Sequence, residues 1–308
     1  MSDPAYTVVK ASARKGGLLT REQLLELSYS KDLKELAGRL KERMPEFEAS
    51  ALTAKVFEDA LYGAYIAEVE EFMRISDKVS KTLGFFKREV EDTSKAESLK
   101  SILSGNLPEK QKEELLSRLK AGGLGREIEE ASNAFSKYGI LGLVDVIFAK
   151  HRLLDLCEDL VRSGGEAMSG LADFLKMKVD YFNVITIIRG IKNGVPQEAL
   201  QDLLIYQFGS LSEERIKEAI KQGEAEKAAN FIMSFMPSKG AGARDLEKRY
   251  EESLSKVAQR AYYRNYSNLA AVFAYLELKL RETKNLIRLA NIIERGLDPK
   301  RSLQEFIY

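Results

Sequence analysis

The strongest constraint on this chain is that a stretch of its own sequence returns. Asn183, Ile185, Ile191 and Gly194 recur 102 residues later as Asn285, Ile287, Ile293 and Gly296, with the acidic residues Asp180 and Glu282 in the same register. Each glycine is followed within three residues by a proline, Pro196 or Pro299, and Ile205 with Tyr206 is echoed by Ile307 with Tyr308. Apolar positions three and four apart before the glycine describe one face of a helix. Glycine ends helices because it accepts left-handed backbone without steric cost, and proline opens the next because its fixed φ suits a first turn. The repeated unit is therefore predicted to be a helical hairpin, used twice.

A fainter third copy runs from Asp92 through Lys95, Leu99, Ile102 and Gly105 to Pro108, with Lys95 standing where the other copies have asparagine. Upstream, Gly17, Leu19, Thr20, Glu22 and Leu24 match Gly209, Leu211, Ser212, Glu214 and Ile216, about two repeat lengths away. Repeats of this size are supersecondary units that stack on their neighbours. The expectation is an all-α fold of three tandem, similar helical-bundle subdomains at residues 1–106, 107–206 and 207–308.

The rest of the chain agrees with a helical reading. It has only 6 prolines, and no period-two run enriched in β-branched residues. The last long segment places Leu269, Phe273, Leu276, Leu280, Ile287 and Ala290 on one stripe, with Glu277, Lys284 and Arg288 elsewhere. Thr20 with Gln23 and Ser210 with Glu213 read as capping boxes, and Asp298 before Pro299 reads as a further helix start. Gly122–Gly125, Ser163–Gly165 and Pro237–Gly242 read as loops.

Composition narrows the function classes. Lys and Arg number 48 against 47 Asp and Glu, so the basic excess of a general nucleic-acid binder is missing. The longest uncharged stretches, Tyr138–Val144 and Tyr266–Leu276, fall short of the roughly 20 apolar residues that span a bilayer. Met1–Gly17 lacks the apolar core of a secretory signal. Cys157, the single cysteine, reads as a buried structural thiol.

Catalytic material is sparse. One histidine, His151, leaves no zinc pair, and its expected state is solvated or locally bonded. No phosphate-binding glycine loop is present, so no cofactor is expected. Two acidic clusters, Asp155 with Glu158 and Asp159, and Glu68 with Glu70 and Glu71, read as solvated faces, and no metal is expected. Tyr262, Tyr263, Tyr266, Phe273 and Tyr275 read as a core or interface stripe.

The candidate surface lies in the repeat. Asp180 with Asn183, and Glu282 with Asn285, are three apart on one helix face. Buried amides must be satisfied. These residues are read first as fixing how one repeat packs on the next, and alternatively as a polar lining that faces a partner. A generic helical-repeat scaffold explains most of the same features, and an all-α enzyme using the Asp155 cluster with a divalent metal is a third reading.

The segment Tyr275–Arg288, with Lys279, Glu282, Asn285 and Leu286, resembles the C-terminal signature of the C subunit of archaeal and vacuolar-type rotary ATPases, called d in eukaryotes. Asp180, Asn183 and Ile187–Arg189 resemble that family's central acidic-x-x-Asn motif, and Leu204–Ser212 its passage into a third repeat. Tyr6, Arg14, Leu18 and Leu19 resemble its opening. The resemblance implies a funnel of three pseudo-threefold helical subdomains without catalysis. It further implies one copy in a hetero-oligomeric complex on the cytoplasmic face, joining central rotor-shaft subunits to the membrane proteolipid ring and touching the membrane only through partners. By the same resemblance Asp180, Asn183, Arg189, Glu282, Asn285 and Arg288 are interface or inter-repeat packing residues.

Overall fold

A computed structural model of the chain describes residues 4–41, 52–75, 80–105, 107–163, 166–235, 242–264 and 269–298. Among these the regular structure is α-helix throughout, in agreement with the all-α expectation. In chain order the helices are α1 (Pro4–Lys15), α2 (Arg21–Leu27), α3 (Leu33–Leu40), α4 (Ala54–Ile75), α5 (Ser80–Ser104), α6 (Glu109–Ala121) and α7 (Gly125–Tyr138). They continue as α8 (Gly142–Ser163), α9 (Glu166–Lys192), α10 (Gln197–Leu203), α11 (Glu213–Lys221), α12 (Ala225–Met233), α13 (Ala243–Arg264) and α14 (Leu269–Glu294).

Local chemistry accounts for many of the ends. Val195 N–H bonds to Gly190 C=O at 2.9 Å and Gly194 N–H to Ile191 C=O at 3.1 Å, with Gly194 at φ 70°. Leu297 bonds to Ile292 at 3.0 Å and Gly296 to Ile293 at 3.1 Å, with Gly296 at φ 62°. Both are the same glycine-terminated closure, 102 residues apart, in which the last carbonyls of a helix find donors. The faint third copy departs from it. Gly105 N–H simply reaches Ser101 C=O at 3.0 Å, the ordinary helical bond.

The starts follow side chains. Thr20 and Gln23 form the expected capping box on α2. The second expected box is displaced: Ser212, not Ser210, caps α11, by accepting from Arg215 N–H. Ser210 is occupied elsewhere, because its hydroxyl donates to Asp180. The helix start expected at Asp298–Pro299 and much of the Ser163–Gly165 and Pro237–Gly242 loops lie outside the described residues, whereas the break at Gly122–Gly125 falls between α6 and α7.

By its packing the chain divides into two units, one of Met1–Lys87, Gly165–Leu171 and Glu251–Tyr308, the other of Arg88–Gly164 and Ala172–Tyr250. In the first unit α14 packs on α4, α1 and α3. Leu24, Leu36, Leu40, Phe57 and Leu61 meet Leu286, Leu289 and Ala290 there. Phe86 lies 4.5 Å from Phe273 between ring centroids, and Phe72 lies 5.9 Å from Tyr275. The amphipathic stripe expected on α14 is exceeded, since α14 is buried on nearly every side and takes Glu277 inside with it. Arg281 makes that burial tolerable by donating to Glu277 at 3.1 Å.

In the second unit α7 packs against α8, and α10, α11 and α12 close over the same core. Ile128, Val144, Ile147, Val184, Ile187, Leu200 and Ile220 are among its buried members. Close packing leaves Gly190 no room for a Cβ, which would stand 2.2 Å from a methyl of Leu200.

Candidate functional site: acid and amide clamps on the hairpin connections

Asp180 and Asn183 are both buried, one helical turn apart on α9. The Asn183 amide donates to Ile205 C=O at 2.7 Å and accepts from Ile205 N–H at 2.9 Å. Asp180 Oδ1 accepts from Ser210 N–H at 2.9 Å and from Leu211 N–H at 3.1 Å, and Oδ2 accepts from the Ser210 hydroxyl. One helical turn of side chains thus fastens the whole connection between α10 and α11. The backbone must come close to be held. A Cβ on Gly209 would sit 2.7 Å from Asp180 Oδ1 and 3.3 Å from Val179 Cγ1. Burial pushes the Asp180 carboxyl above its ordinary range, and the hydrogen bonds from Ser210 and Leu211 pull it part of the way back.

The acid part of this arrangement recurs in the first unit. Glu282 Oε1 accepts from Leu19 N–H at 2.6 Å, while its other oxygen takes the Lys279 ammonium. Leu19 is the residue that matches Leu211 in sequence, and Glu282 is the residue that matches Asp180. Thr20 and Ser212, which follow, cap α2 and α11. The repeated acid therefore anchors the residue immediately before a helix N-cap in both places. Asn285 is buried on the next turn of α14.

In the faint third copy Asp92 occupies the acid position, and it too is buried, at 1 % exposure. It is held by cations where the others hold backbone: Arg152 at 3.3 Å and Arg88 at 3.5 Å. Its Oδ1 accepts no hydrogen bond among the described residues. Arg88 also reaches Asp155 at 2.6 Å and Glu127 at 3.1 Å, a half-buried cluster that the sequence pattern did not reveal.

The two arginines of the repeat point away from the clamps. Arg189 pairs with Glu247, and Arg288 lies 3.6 Å from Glu251, both carboxylates on α13. These pairs are partly exposed and contribute little to stability.

A cavity of about 640 Å3 opens beside Glu282 and Leu19. Arg14 donates to Glu68 at 3.0 Å and to Glu71 at 2.6 Å, Lys10 also binds Glu71, and the Tyr275 hydroxyl donates to Glu68. Burial and the neighbouring Glu68 push the Tyr275 phenol well up, and the Lys10 contact holds Glu71 below the usual carboxylate range. Glu70 pairs with Lys87 at 2.6 Å. The acidic run at 68–71 is thus an ion-paired seam, where a solvated face was expected. Asp155 likewise takes Arg126 at 2.9 Å besides Arg88, and Glu158 takes Arg162 at 2.7 Å. Among the described residues no group of three or more His, Cys, Asp and Glu is arranged to hold a metal.

His151 takes the locally bonded form of its two expected states. It is buried, with Nε2 2.5 Å from Glu130 Oε2, and that contact holds the Glu130 carboxyl below its ordinary range. Cys157 is buried, as expected, and burial pushes its thiol up to about 12. Of the aromatic run, Phe273, Tyr275 and Tyr262 are core while Tyr263 is exposed; Tyr266 lies outside the described residues.

Fold and site together define a class: an all-helical repeat protein in which buried acids, and in one copy an amide, fasten the backbone that leads into a helix. The chain belongs to the family described as ATP synthase (C/AC39) subunit, whose pattern matches residues 107–305. It is 27% identical over 143 residues to the C subunit of the A-type ATP synthase of Thermococcus kodakarensis, covering 44% of this chain and 39% of that protein. The corresponding C subunit of a Desulfurococcus species is 22% identical over 329 aligned positions, 96% of this chain and 88% of the relative. That of Haloquadratum walsbyi is 26% identical over 196 residues, 57% and 56% of the two chains. No helix among the described residues is long and apolar enough to cross a membrane.

Proposed function

We propose that the chain is a non-catalytic central-stalk subunit of an A/V-type rotary ATP synthase or ATPase. In this reading it is the socket that joins the rotor-shaft subunits to the membrane proteolipid ring and passes torque between ATP turnover and proton or sodium transport. The observation that carries the proposal is the family match over residues 107–305. Relatives named as the C subunit of A-type ATP synthases support it, one of them along 96% of this chain.

Torque transfer makes and breaks no covalent bond. It needs a body that does not shear, with an interface of about 800 Å2 or more on each partner. The clamps suit that need, because a connection pinned by buried hydrogen bonds resists sliding at low cost in mobile side chains. Three tandem repeats at 1–106, 107–206 and 207–308 would form the socket, as one copy on the cytoplasmic face, reaching the membrane only through its partners. Asp180, Asn183, Glu282 and Asn285 would keep the repeats rigid, with Arg189 and Arg288 tying them to α13.

The test is a pull-down of the tagged full-length chain against membranes and soluble ATPase heads, scored by mass spectrometry. Recovery of both shaft and proteolipid subunits is expected. A stable monomer that enriches neither overturns the proposal in favour of a general helical scaffold.

A further inference from the structure

The C-terminal half of α13 carries its cations on one side, after the acidic pair Glu251 and Glu252. Within its last fourteen residues, Glu251–Arg264, the inward positions are Leu254, Ser255, Ala258, Ala261 and Tyr262, and Glu251 turns its carboxylate to Arg288. The exposed positions are Lys256, Gln259, Arg260, Tyr263 and Arg264, none of them acidic. Lys256, Arg260 and Arg264 follow one another at four-residue steps, which puts them on one ridge about 12 Å long. None of the three is ion-paired among the described residues, although Arg88, Arg189 and Arg281 elsewhere in the chain all are.

Beside this ridge Tyr263 is 65 % exposed, yet it is held in position. Lys15 Nζ lies 4.5 Å over its ring and donates to its hydroxyl at 3.0 Å, and Tyr262 packs edge-on at 5.4 Å. The phenol has accepted one hydrogen bond, so its own proton remains to donate outward. Lys15 adds a fourth positive charge at the end of the row. A pre-positioned aromatic among arginines is the composition enriched in protein interfaces.

We infer that Lys256, Arg260, Tyr263 and Arg264, with Lys15, form a docking surface for an acidic helical segment of a partner protein. Carboxylates at four-residue spacing on that segment match the ridge step for step, and a further carboxylate accepts the Tyr263 proton. Complementary charge selects the partner: Glu252 stands one step before the row, yet Lys256, Arg260 and Arg264 are ion-paired to no carboxylate among the described residues. A nucleic acid is a poorer fit, since the chain as a whole carries only +1 and the row is short. A lipid surface is also a poorer fit, because the exposed side of this stretch offers no aliphatic residue to insert. The surface is separate from the hairpin clamps and does not depend on the stalk reading.

The experiment is fluorescence anisotropy with the full-length protein and a labelled synthetic helical peptide, alanine-rich with glutamate at every fourth position. A twin peptide with lysine in those positions, and vesicles of phosphatidylglycerol or phosphatidylcholine, serve as competitors. The wild type is expected to bind the acidic peptide and not its twin, and K256E/R260E/R264E to bind it at least about tenfold more weakly. Y263F is expected to weaken it by a smaller, few-fold factor. Should the charge reversals fail to fold, K256Q/R260Q/R264Q, which adds no new charge, answers the same question. Equal binding by wild type and variants, or no preference over the lysine twin, overturns the inference. Preference for phosphatidylglycerol vesicles without discrimination between peptides assigns the ridge to lipid and overturns it as well. Loss of shaft and ring subunits in the pull-down, by contrast, bears only on the stalk reading.

Discussion

Glu282 accepts the backbone N–H of Leu19 across 263 positions of chain, as Asp180 accepts that of Leu211 across 31. The two acids share one repeat register and so do the two leucines, but one contact is near-local and the other joins the first helices to the last. The N-terminal segment therefore supplies to α14 what the α10–α11 connection supplies to α9.

Asn183→Ala is expected to destabilise the protein by about 2–4 kcal/mol, because Ile205 would keep a buried N–H and a buried C=O without partners. Urea unfolding followed by circular dichroism measures it. A loss below about 0.5 kcal/mol would mean that water enters and replaces the amide.

Asp180 predicts a pH dependence. Its folded-state pKa is raised above the ordinary 3.8, so the folded chain binds this proton more tightly than the unfolded chain does. The group therefore favours folding most at low pH, and that contribution is lost as pH rises through the folded-state value. Asp180→Asn removes the dependence. Between about pH 3 and about pH 7 the stability of the variant relative to wild type is expected to rise, and a flat or falling difference would contradict the burial argument.

Gly209→Ala forces a Cβ to within 2.7 Å of Asp180 Oδ1, and is expected to cost about 1–3 kcal/mol. Gly17, its counterpart in sequence, meets only Arg14 O at 3.3 Å. Gly17→Ala should cost less than about 1 kcal/mol. Paired thermal melts of the two variants test whether the clamp is tighter in one repeat than in the other.

Arg88→Ala leaves Asp92 and Glu127, both buried, short of their shared cation. A loss of about 3 kcal/mol is expected, since an uncompensated buried charge costs more than the pair contributes. Arg88→Lys should recover only part of it, because one ammonium cannot reach the three carboxylates that the guanidinium fork spans. Denaturant midpoints of the two variants against wild type give the comparison.

Cys157 should be silent toward a thiol reagent such as dithionitrobenzoate in the native protein near pH 8, because its thiol is enclosed and shifted up to about 12. Full labelling is expected in urea. Fast native labelling would show that α8 opens locally.

Several of these features were legible from the residues alone. Gly194 and Gly296 end their helices in left-handed backbone, and Thr20 with Gln23 starts one, because each is decided within five or six consecutive residues. Burial of Asp180, Asn183, Glu282 and Asn285 was readable from their place on apolar helices. Ser210 misled because its hydroxyl could serve α11 or Asp180, and the sequence carries no measure of which acceptor is nearer. Glu68, Glu70, Glu71 and Asp155 looked solvated because their partners Lys10, Arg14, Lys87, Arg88 and Arg126 lie elsewhere in the chain, whereas Glu158 is exposed as expected.

By itself the sequence determined the helical class, the hairpin turn and its repetition, and the balance of charge, all of which follow from short-range periodicity and backbone preference. Only the tertiary structure decided that Glu282 takes Leu19, that Glu277 is buried against Arg281, and that Asp92 is held by arginines where its counterparts hold backbone. The physical reason is distance along the chain. A helix end is set by hydrogen bonds among neighbours, whereas the partner of a buried charge is whichever group the packing of remote helices brings within about 3 Å.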